Sequence, residues 1–216
     1  MFSVLTPEPL ADFFDLFVLG DGEEVILELV DLGIQAKKEK WAKSFLLKQM
    51  AKLSGIYVPS HFRITYHPDG TIQKIIPLQG QTIIKKRLVQ DLDQAFYPTS
   101  PVISNAETVH DRFALEIARG CSHGCRFCQA GFLYRPVRER KLETLHSMAL
   151  KSIKHTGYEE LSLVSLNSSD YSQLEKLLGL LRKDCQTHMM ALSLPSLRPG
   201  TLTSTIISYI KGIRKK

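Results

Sequence analysis

Short apolar runs alternate with amphipathic stretches along the second half of the chain. Three apolar runs predict strands, at residues 113–118, 161–166 and 189–194. Three amphipathic stretches predict helices, at residues 144–155, 171–184 and 203–214. Strands that alternate with helices of this length form parallel βαβ units. This half therefore predicts an α/β fold with about three βα units, which is enough strand for half of a barrel.

The first half of the chain carries a different mixture of elements. Residues 9–14 predict a short helix or turn, and residues 16–19 predict a buried strand. Acidic residues then open a helix that we expect to end at Gly33. One strand and one helix cannot bury a core alone. We therefore expect this segment to be the end of a larger α/β layer or to pack on the next domain.

A basic stretch at residues 36–53 predicts a second helix, which we expect to end at Gly55. We interpret its lysines as a solvated face rather than a nucleic-acid surface. Residues 62–76 predict a β-hairpin, because two apolar runs flank a His-Pro-Asp-Gly turn. A further strand is expected within residues 83–92, and we place the domain boundary at the connector near residues 98–101.

Composition and charge narrow the class of protein without identifying a partner. The chain has 216 residues, of which 44% are hydrophobic, so collagen-like, disordered and coiled-coil proteins are excluded. Its net charge of +6 permits an anionic partner but does not require one. No apolar run approaches the roughly 18 residues of a membrane span, and the first residues lack the features of a signal peptide. We expect a cytoplasmic protein with no membrane partner.

Three of the four cysteines, Cys121, Cys125 and Cys128, lie within one short stretch, while Cys185 lies far along the chain. Three cysteines this close cannot easily pair with one another. A disulfide framework is therefore disfavoured, and a metal or cluster site in a reducing compartment is indicated. Their spacing would place them on one face of a helix as small buried hydrophobes. The interleaved glycines, however, favour a loop that wraps a bound group.

The position and charge of this loop agree with a reactive site. It directly follows the first strand of the α/β half, and reactive sites in such folds lie at the carboxyl ends of strands. Arg119 and Arg126 favour the thiolate form that binds metals. Zinc would need a fourth ligand, which His123 or Cys185 could supply. An iron–sulfur cube on three thiolates would leave one iron open to a small molecule. Both alternatives stay open on these residues alone.

The cysteine loop also resembles a known family. The motif Cys-x3-Cys-x2-Cys, with Phe127 before its last cysteine and a preceding strand that ends in Ala118-Arg119-Gly120, closely resembles the signature of radical S-adenosylmethionine (SAM) enzymes. The wider stretch 107–140 is similar to a subgroup that has an N-terminal Rossmann-like domain of the cobalamin-binding type. Residues 7–12 and 20–24 are similar to the end of that upstream domain.

The resemblance implies a division of the chain into three segments. Residues 1–60 would be the C-terminal remnant of the Rossmann-like domain, and residues 61–104 a β-hairpin connector. Residues 105–216 would be the N-terminal half of a partial (β/α)6 barrel of the TIM type. On this interpretation the chain is a fragment that is truncated at both ends.

The resemblance also implies cofactors and a partner. A 4Fe-4S cluster would be held by Cys121, Cys125 and Cys128, with SAM on the fourth iron. One electron from the cluster would cleave SAM, and the resulting 5′-deoxyadenosyl radical would abstract hydrogen from a substrate. An electron donor of the flavodoxin or ferredoxin type is the implied partner. Tight cobalamin binding is not expected, because the cobalt-ligating histidine loop is not in this sequence.

The contacts to SAM are also implied by the resemblance. Family members bind the methionyl amine with a Gly-Gly-Glu-like turn after the second strand. The glycines are absent here, but Ser168, Ser169 and Asp170 offer oxygen acceptors to an ammonium. Ser169 or Asp170 is equally a natural N-cap for the next helix. Phe127 would lie close to the adenine, although an ordinary hydrophobic plug would look the same in sequence.

Other polar residues near the predicted site are weaker candidates. Four basic residues follow the cysteine loop, namely Arg135, Arg138, Arg140 and Lys141. We expect most of them to be solvated, with one or two paired to Glu139 and Glu143. Three residues at the end of the third strand are candidates for cofactor or substrate contact, namely Ser193, Ser196 and Arg198. Cys185 is interpreted as a buried or free thiol, and His123 as a loop residue.

Two alternatives to an active radical enzyme remain. One is a zinc-stabilised nucleic-acid-binding module that uses the three clustered cysteines, His123 and the lysine-rich helix. The other is a catalytically inactive chain that holds a cluster but binds SAM poorly. The substrate is unidentified, with RNA modification, methylthiolation and small-molecule rearrangement all open. No side chain is assigned a catalytic role, and the oligomeric state is not fixed by the sequence.

Overall fold

A computed structural model describes residues 7–79, 83–106 and 109–211 of the chain. It divides into two compact units, Met1–Val89 and Gln90–Lys216. Each unit is described by itself below. This division concerns compactness only, so the predicted segments 1–60, 61–104 and 105–216 stay predictions.

The first unit contains two short antiparallel pairs of strands and two helices. Its elements are a 3-10 helix Glu8–Leu10, β1 Phe17–Val18, α1 Val25–Glu39, α2 Lys43–Met50, β2 Ile56–Tyr57, a 3-10 helix Pro59–His61, β3 Phe62–Tyr66 and β4 Ile72–Pro77. Strand β1 pairs with β2, and β3 pairs with β4 across the predicted hairpin turn. A small core of Val25, Ala51, Ile56 and Val58 holds the helices against the first pair.

The helix boundaries in this unit differ from the prediction. Helix α1 passes through Gly33 and ends at Lys40, whose left-handed φ of 53° turns the chain. A helical glycine costs only about 1 kcal/mol, and good helix formers follow it, so Gly33 does not stop the helix. The helix predicted over residues 36–53 is therefore wrong at its start. Residues 36–39 belong to α1, and α2 begins only after Ala42, which is extended.

The strand expected within residues 83–92 is also wrong, since that fully described segment forms only one isolated bridge, between Arg87 and Gly20. Hydrogen bonds to acidic side chains, rather than a ladder of strand pairing, hold residues 87–89 against the rest of this unit. The Arg87 guanidinium contacts the carboxylates of Glu24 and Glu28 at 2.9 and 2.6 Å. Nearby, the Val89 amide donates to the Asp21 carboxylate at 2.8 Å.

The second unit is built on a parallel sheet with helices between its strands. Its elements are β5 Phe113–Glu116, β6 Ala118–Arg119, α3 Ala130–Leu133, β7 Arg138–Glu139, α4 Leu142–Thr156, β8 Glu160–Val164, a 3-10 helix Ser168–Asp170, α5 Leu174–Thr187, β9 Ala191–Ser193 and α6 Ser204–Lys211. The sheet order is β5-β8-β9, and both pairings are parallel. The predicted α/β class is confirmed, whereas the partial (β/α)6 barrel stays a prediction.

The core of this unit lies between the sheet and helices α4 and α5. Leu115, Leu161 and Leu163 from the strands pack with the apolar faces of both helices. The predicted apolar face of α5 is confirmed, because Leu174, Leu177, Leu178 and Leu181 are all buried. Helix α4 ends at Gly157 as predicted, in a left-handed conformation that glycine adopts without strain.

Smaller differences occur at the ends of the other elements. Helix α5 begins at Leu174 rather than near Tyr171, because Tyr171 packs in the core and donates its hydroxyl hydrogen to the Arg140 carbonyl at 2.9 Å. Helix α6 begins at Ser204, close to the predicted start, and residues 212–214 of the predicted helix lie outside the described residues. In the ranges that the structure describes, no helix combines the length and the apolar character needed to cross a membrane.

Candidate functional site

The cysteine loop is closed at its base by a short antiparallel stem. Strands β6 and β7 pair Arg119 with Arg138, so residues 120–137 form a loop between them. Gly120 has a φ of +97°, and a Cβ atom there would lie 2.6 Å from the carbonyl oxygens of both Pro136 and Tyr134. Only glycine satisfies both conditions without displacing backbone. The start of the loop therefore packs directly against its own end.

Backbone contacts give the loop its internal shape. A Cβ atom at Gly131 would lie 2.6 Å from the His123 carbonyl oxygen, so the chain doubles back closely there. The Arg135 guanidinium donates to the Gly131 carbonyl at 2.8 Å and to the Ser122 carbonyl at 3.2 Å. The loop thus has a compact form that uses its own glycines and one arginine.

The three clustered cysteines lie in the non-helical part of this loop, as the glycines predicted. Cys121, Cys125 and Cys128 are free thiols and half-buried, and the Cys128 amide donates to the Cys125 carbonyl at 3.0 Å. Three sulfur donors on one compact loop suit a soft metal such as iron or zinc. Among the described residues, however, no three His, Cys, Asp or Glu side chains are gathered as a metal site. The ligand assignment therefore stays a prediction from spacing and donor chemistry.

A charged cluster lies directly before the loop. The Glu116 carboxylate accepts hydrogen bonds from Arg119 Nε at 2.9 Å and Nη2 at 2.8 Å, and Arg140 Nη2 lies 3.3 Å away. The Arg140 side chain is buried, with its guanidinium over the Tyr97 ring and bonded to the Leu92 carbonyl. Glu116 thus pairs with two arginines at the base of the loop.

This arrangement corrects the prediction for the basic residues after the loop. Arg140 was expected to be solvated or paired with a neighbouring glutamate, but it is buried and pairs with Glu116. The reason is backbone pairing, because the Arg140 amide donates to the Ile117 carbonyl at 3.0 Å and carries its side chain inward. The feature of the sequence that could have indicated this pairing is Glu116, a lone acidic residue at the end of the apolar strand β5.

The turn after β8 holds the serines and the aspartate predicted to contact SAM. Ser168 is fully buried, and its hydroxyl lies 3.0 Å from the Pro195 carbonyl oxygen and 3.2 Å from Ser165 Oγ. The Ser169 hydroxyl donates to Asn167 Oδ1 at 2.7 Å. Together with Asp170, these two serines form a 3-10 helix.

The alternative N-cap role for Ser169 or Asp170 is wrong. Helix α5 begins at Leu174, and its N-cap position is Gln173, which makes no side-chain capping bond. The polar side chains of the preceding turn are therefore used for other contacts. Their predicted contact with SAM stays a prediction.

His123 contacts two side chains that are distant in sequence, Asp170 and Arg198. His123 Nε2 lies 2.7 Å from Asp170 Oδ2. Arg198 Nη1 lies 2.7 Å from His123 Nδ1 and 3.1 Å from Nε2. Both ring nitrogens thus lie within 3.1 Å of a charged side chain, and among the described residues His123 is not grouped with the cysteines as a metal site. The sequence pointed to each of these residues separately but gave no sign of their contact.

The remaining predicted residues fall into different environments. Phe127 is 92% exposed, so it is not a hydrophobic plug. Cys185 is fully buried in the core, where burial raises the pKa of its thiol to about 11. This confirms its interpretation as a buried thiol and makes it a poor metal ligand. Ser193 ends β9 and is half-buried, whereas Ser196 is exposed in the turn that follows.

Comparison with known proteins finds similarity to radical SAM proteins, beginning with the N-terminal part of the chain. The profile of a family described as "Radical SAM proteins, N-terminal" matches residues 2–59. An uncharacterized protein of Methanocaldococcus jannaschii is 27% identical over 205 residues, which are 94% of this chain and 37% of that protein. The chain therefore aligns along nearly its whole length with a protein more than twice as long.

A second group of relatives has a named activity. The ribosomal protein uS12 methylthiotransferase RimO of Prochlorococcus marinus strain AS9601 is 34% identical over 109 residues, covering 45% of this chain and 22% of RimO. RimO from strain MIT 9301 is 38% identical over 76 residues, covering 32% of this chain and 16% of RimO. The family match and these similarities together support a place for this chain in the radical SAM superfamily.

Proposed function

We propose that the chain is part of a radical SAM enzyme that holds a 4Fe-4S cluster on Cys121, Cys125 and Cys128. When bound, the cluster supplies the electron that cleaves SAM to methionine and a 5′-deoxyadenosyl radical. The reaction then acts on a substrate that the chain does not identify. A reducing compartment, which we infer to be the cytoplasm, would keep the thiols available.

One observation carries this proposal. The three-cysteine motif lies on a glycine-shaped loop that leaves the carboxyl end of β5, the first strand of the parallel sheet, through the short strand β6. Loops at the carboxyl ends of parallel strands are where α/β folds place their reactive groups. A structural zinc site would use four ligands, but His123 is engaged by Asp170 and Arg198, and Cys185 is buried in the core.

The residues around the loop have separate roles in the proposal. The sulfur atoms of the three cysteines bind iron, and the exposed Arg126 adds positive charge to the same loop. The Asp170 carboxylate, with the neighbouring Ser168 and Ser169, offers acceptors to the methionyl ammonium. The exposed Phe127 ring is available to cover an adenine. None of these residues transfers a proton in the proposal.

The similarity to longer proteins extends the proposal beyond this chain. We infer that residues 105–216 supply the N-terminal half of a partial barrel, and that residues 1–60 derive from a Rossmann-like domain ahead of it. A flavodoxin- or ferredoxin-type protein would supply the electron. The methylthiotransfer named for RimO is one possible outcome for the substrate, as is RNA modification. We propose no tight cobalamin binding, and a cobalt-containing purified protein would contradict that.

The test is anaerobic reconstitution of the full chain with iron and sulfide. We expect about four irons per chain, a brown colour, and formation of 5′-deoxyadenosine when reductant and SAM are added. Alanine at Cys121, Cys125 or Cys128 should abolish both the cluster and SAM cleavage. Cys185→Ala is the matched control, because it also removes one thiol but should leave both properties intact.

Each contrary result identifies a different failure. Full iron content in any of the three loop variants would overturn the ligand assignment. A colourless protein with one tightly held zinc would favour the nucleic-acid-binding module. A stable cluster with no 5′-deoxyadenosine would favour the inactive chain. Loss of iron in Cys185→Ala alone would place a ligand outside the loop.

A further inference from the structure

We propose that His123 is a positioning residue, which ties the cysteine loop to the ends of strands β8 and β9 and so fixes where a bound cluster lies relative to Asp170 and Arg198. The inference rests on the proposed function, because the position of the loop matters only if the loop holds a cluster. The contacts that support it belong to the chain itself, and they can be tested with or without a cluster.

The backbone of His123 is held from within the loop. Its carbonyl oxygen lies where a side chain at Gly131 would begin, at 2.6 Å from the ideal Cβ position. The preceding carbonyl, of Ser122, accepts a hydrogen bond from Arg135 at 3.2 Å. The loop therefore fixes the main chain at this point and leaves the imidazole to reach other elements.

The partners of the imidazole belong to two strand-end turns that are already joined. Asp170 ends the 3-10 helix after β8, and Arg198 lies in the turn after β9. The Ser168 amide donates to the Ser196 carbonyl at 3.0 Å, which connects the two turns directly. Through His123, the cysteine loop is connected to both of them. Three consecutive strand-end segments of the second unit thus meet at one side chain.

The contact places the imidazole between an acidic and a basic side chain. With a hydrogen on Nε2, the ring donates to the Asp170 carboxylate. Arg198 Nη1 lies 2.7 and 3.1 Å from the two ring nitrogens, so the guanidinium lies against the face of the imidazole. Hydrogen bonds to charged partners are stronger and more directional than those between neutral groups. Because His123 is 30% and Asp170 35% exposed, the contact adds little to global stability. Its main effect is to restrict the position of the loop.

That restriction matters because reactive groups must be held in a productive geometry. A displacement of about 1 Å can reduce a rate about a hundredfold. Side chains that orient metal ligands typically change affinity or activity by about tenfold to a hundredfold when they are removed. We therefore expect His123 to affect how SAM meets the cluster more than whether the cluster forms.

A matched pair of variants tests this inference on the full chain. His123→Ala removes the contact, and His146→Ala removes another histidine whose Nε2 lies 2.7 Å from an aspartate, Asp184, between helices α4 and α5. His123→Gln is the conservative variant, since its amide supplies one donor group and one acceptor.

The first measurement uses cluster-free protein and amide hydrogen exchange. We expect His123→Ala to raise exchange about tenfold in peptides that cover residues 120–129. His146→Ala should leave those peptides unchanged, and His123→Gln should restore most of the protection. Wild-type exchange in His123→Ala, or an equal increase in His146→Ala, would overturn the inference.

The second measurement uses reconstituted protein and electron paramagnetic resonance of the reduced cluster during a SAM titration. We expect His123→Ala to keep its iron but to need about tenfold more SAM for the same spectral change, with His123→Gln close to wild type. A titration identical to wild type would overturn the inference. If no variant, wild type included, binds iron, the proposed function fails and the exchange result still decides whether His123 positions the loop.

Discussion

The second unit contains two histidine–aspartate pairs with the same geometry and different surroundings. His123–Asp170 and His146–Asp184 both have an Nε2–Oδ2 distance of 2.7 Å, and the two histidines are almost equally exposed. His146 and Asp184 lie on neighbouring helices that the core already holds together. His123 lies on the cysteine loop, and Asp170 ends the 3-10 helix that follows β8.

The comparison shows that identical contacts have different consequences in different settings. Between two packed helices, a polar pair adds to a position that buried leucines already fix. Between the cysteine loop and the 3-10 helix after β8, we expect a similar pair to supply much of the constraint on the position of the loop. The predictions below compare the helical layer with the strand-end loops, beginning with the largest expected effect.

The helical layer should dominate global stability. Leu178 is fully buried in α5, so Leu178→Ala should lower the free energy of unfolding by about 2–5 kcal/mol, because it leaves a cavity. Leu166, near the end of β8, is 40% exposed, so Leu166→Ala should cost roughly 1 kcal/mol or less. Urea denaturation followed by circular dichroism measures both. Equal losses would show that the loops carry as much of the stability as the core.

Gly120 and Gly157 both have a positive φ, but only Gly120 is crowded by other atoms. Comparing their alanine variants therefore separates the cost of backbone strain from the cost of steric crowding. Gly120→Ala should cost roughly 3 kcal/mol, because its φ is +97° and a Cβ would overlap two carbonyl oxygens. Gly157→Ala at the end of α4 should cost only about 1 kcal/mol, since nothing lies within 4 Å of its Cβ position.

The two glycine variants should also differ in their effect on the cysteine loop. Alkylation rates of Cys121, Cys125 and Cys128 in the cluster-free protein should change in Gly120→Ala and stay at the wild-type level in Gly157→Ala. Denaturation curves supply the stability values for the same samples. A milder effect at Gly120 than at Gly157 would contradict the close packing of the loop on its own end.

The buried thiol should make the helical layer sensitive to alkaline pH. Burial raises the pKa of Cys185 from 9.0 to about 11, so the unfolded chain loses this proton at a lower pH than the folded chain. The neutral Cys185 thiol therefore stabilises the folded state fully below pH 9. This contribution to the free energy of unfolding is lost as pH rises towards 11, to a total of about 2–3 kcal/mol.

Denaturation at several pH values, with Cys185→Ala as the comparison, measures this contribution. The buried Tyr171, whose pKa is raised to about 12, produces a loss in the same direction. That loss is common to both proteins, so the difference between their slopes belongs to Cys185. Parallel slopes between pH 9 and 11 would contradict the assignment.

The smallest effect should come from the helical histidine pair. His146→Ala should lower the free energy of unfolding by less than about 1 kcal/mol, because both partners are partly exposed and the helices are packed without them. Thermal denaturation should show a shift of only a few degrees. A loss above about 2 kcal/mol would mean that this pair is as important to its helices as the buried leucines.

The regular parts of the fold were predictable because their signals are local. The alternation of strands and helices in residues 113–211 follows from periodicity, and the ends of α4 at Gly157 and of the hairpin turn follow from residue chemistry. The end of α1 was not predictable in the same way. A glycine that lies inside a helix and one that ends it look alike until tertiary packing is known.

In the candidate site, too, the features that depend on tertiary packing could not be predicted from the sequence. The cysteine loop was found from spacing, and its non-helical form from its glycines. The burial of Arg140 and the meeting of His123 with Arg198 depend on elements that are far apart in sequence. Residue type indicates which side chains can form an ion pair or hydrogen bond, but only the fold brings a particular pair together.

The stem formed by β6 and β7 also has a consequence for how the protein matures. Gly120, Gly131 and the Arg135 side chain shape the segment above this stem through contacts within the loop itself. These contacts involve no metal, so under the proposed function iron and sulfide would enter a segment whose framework is already in place.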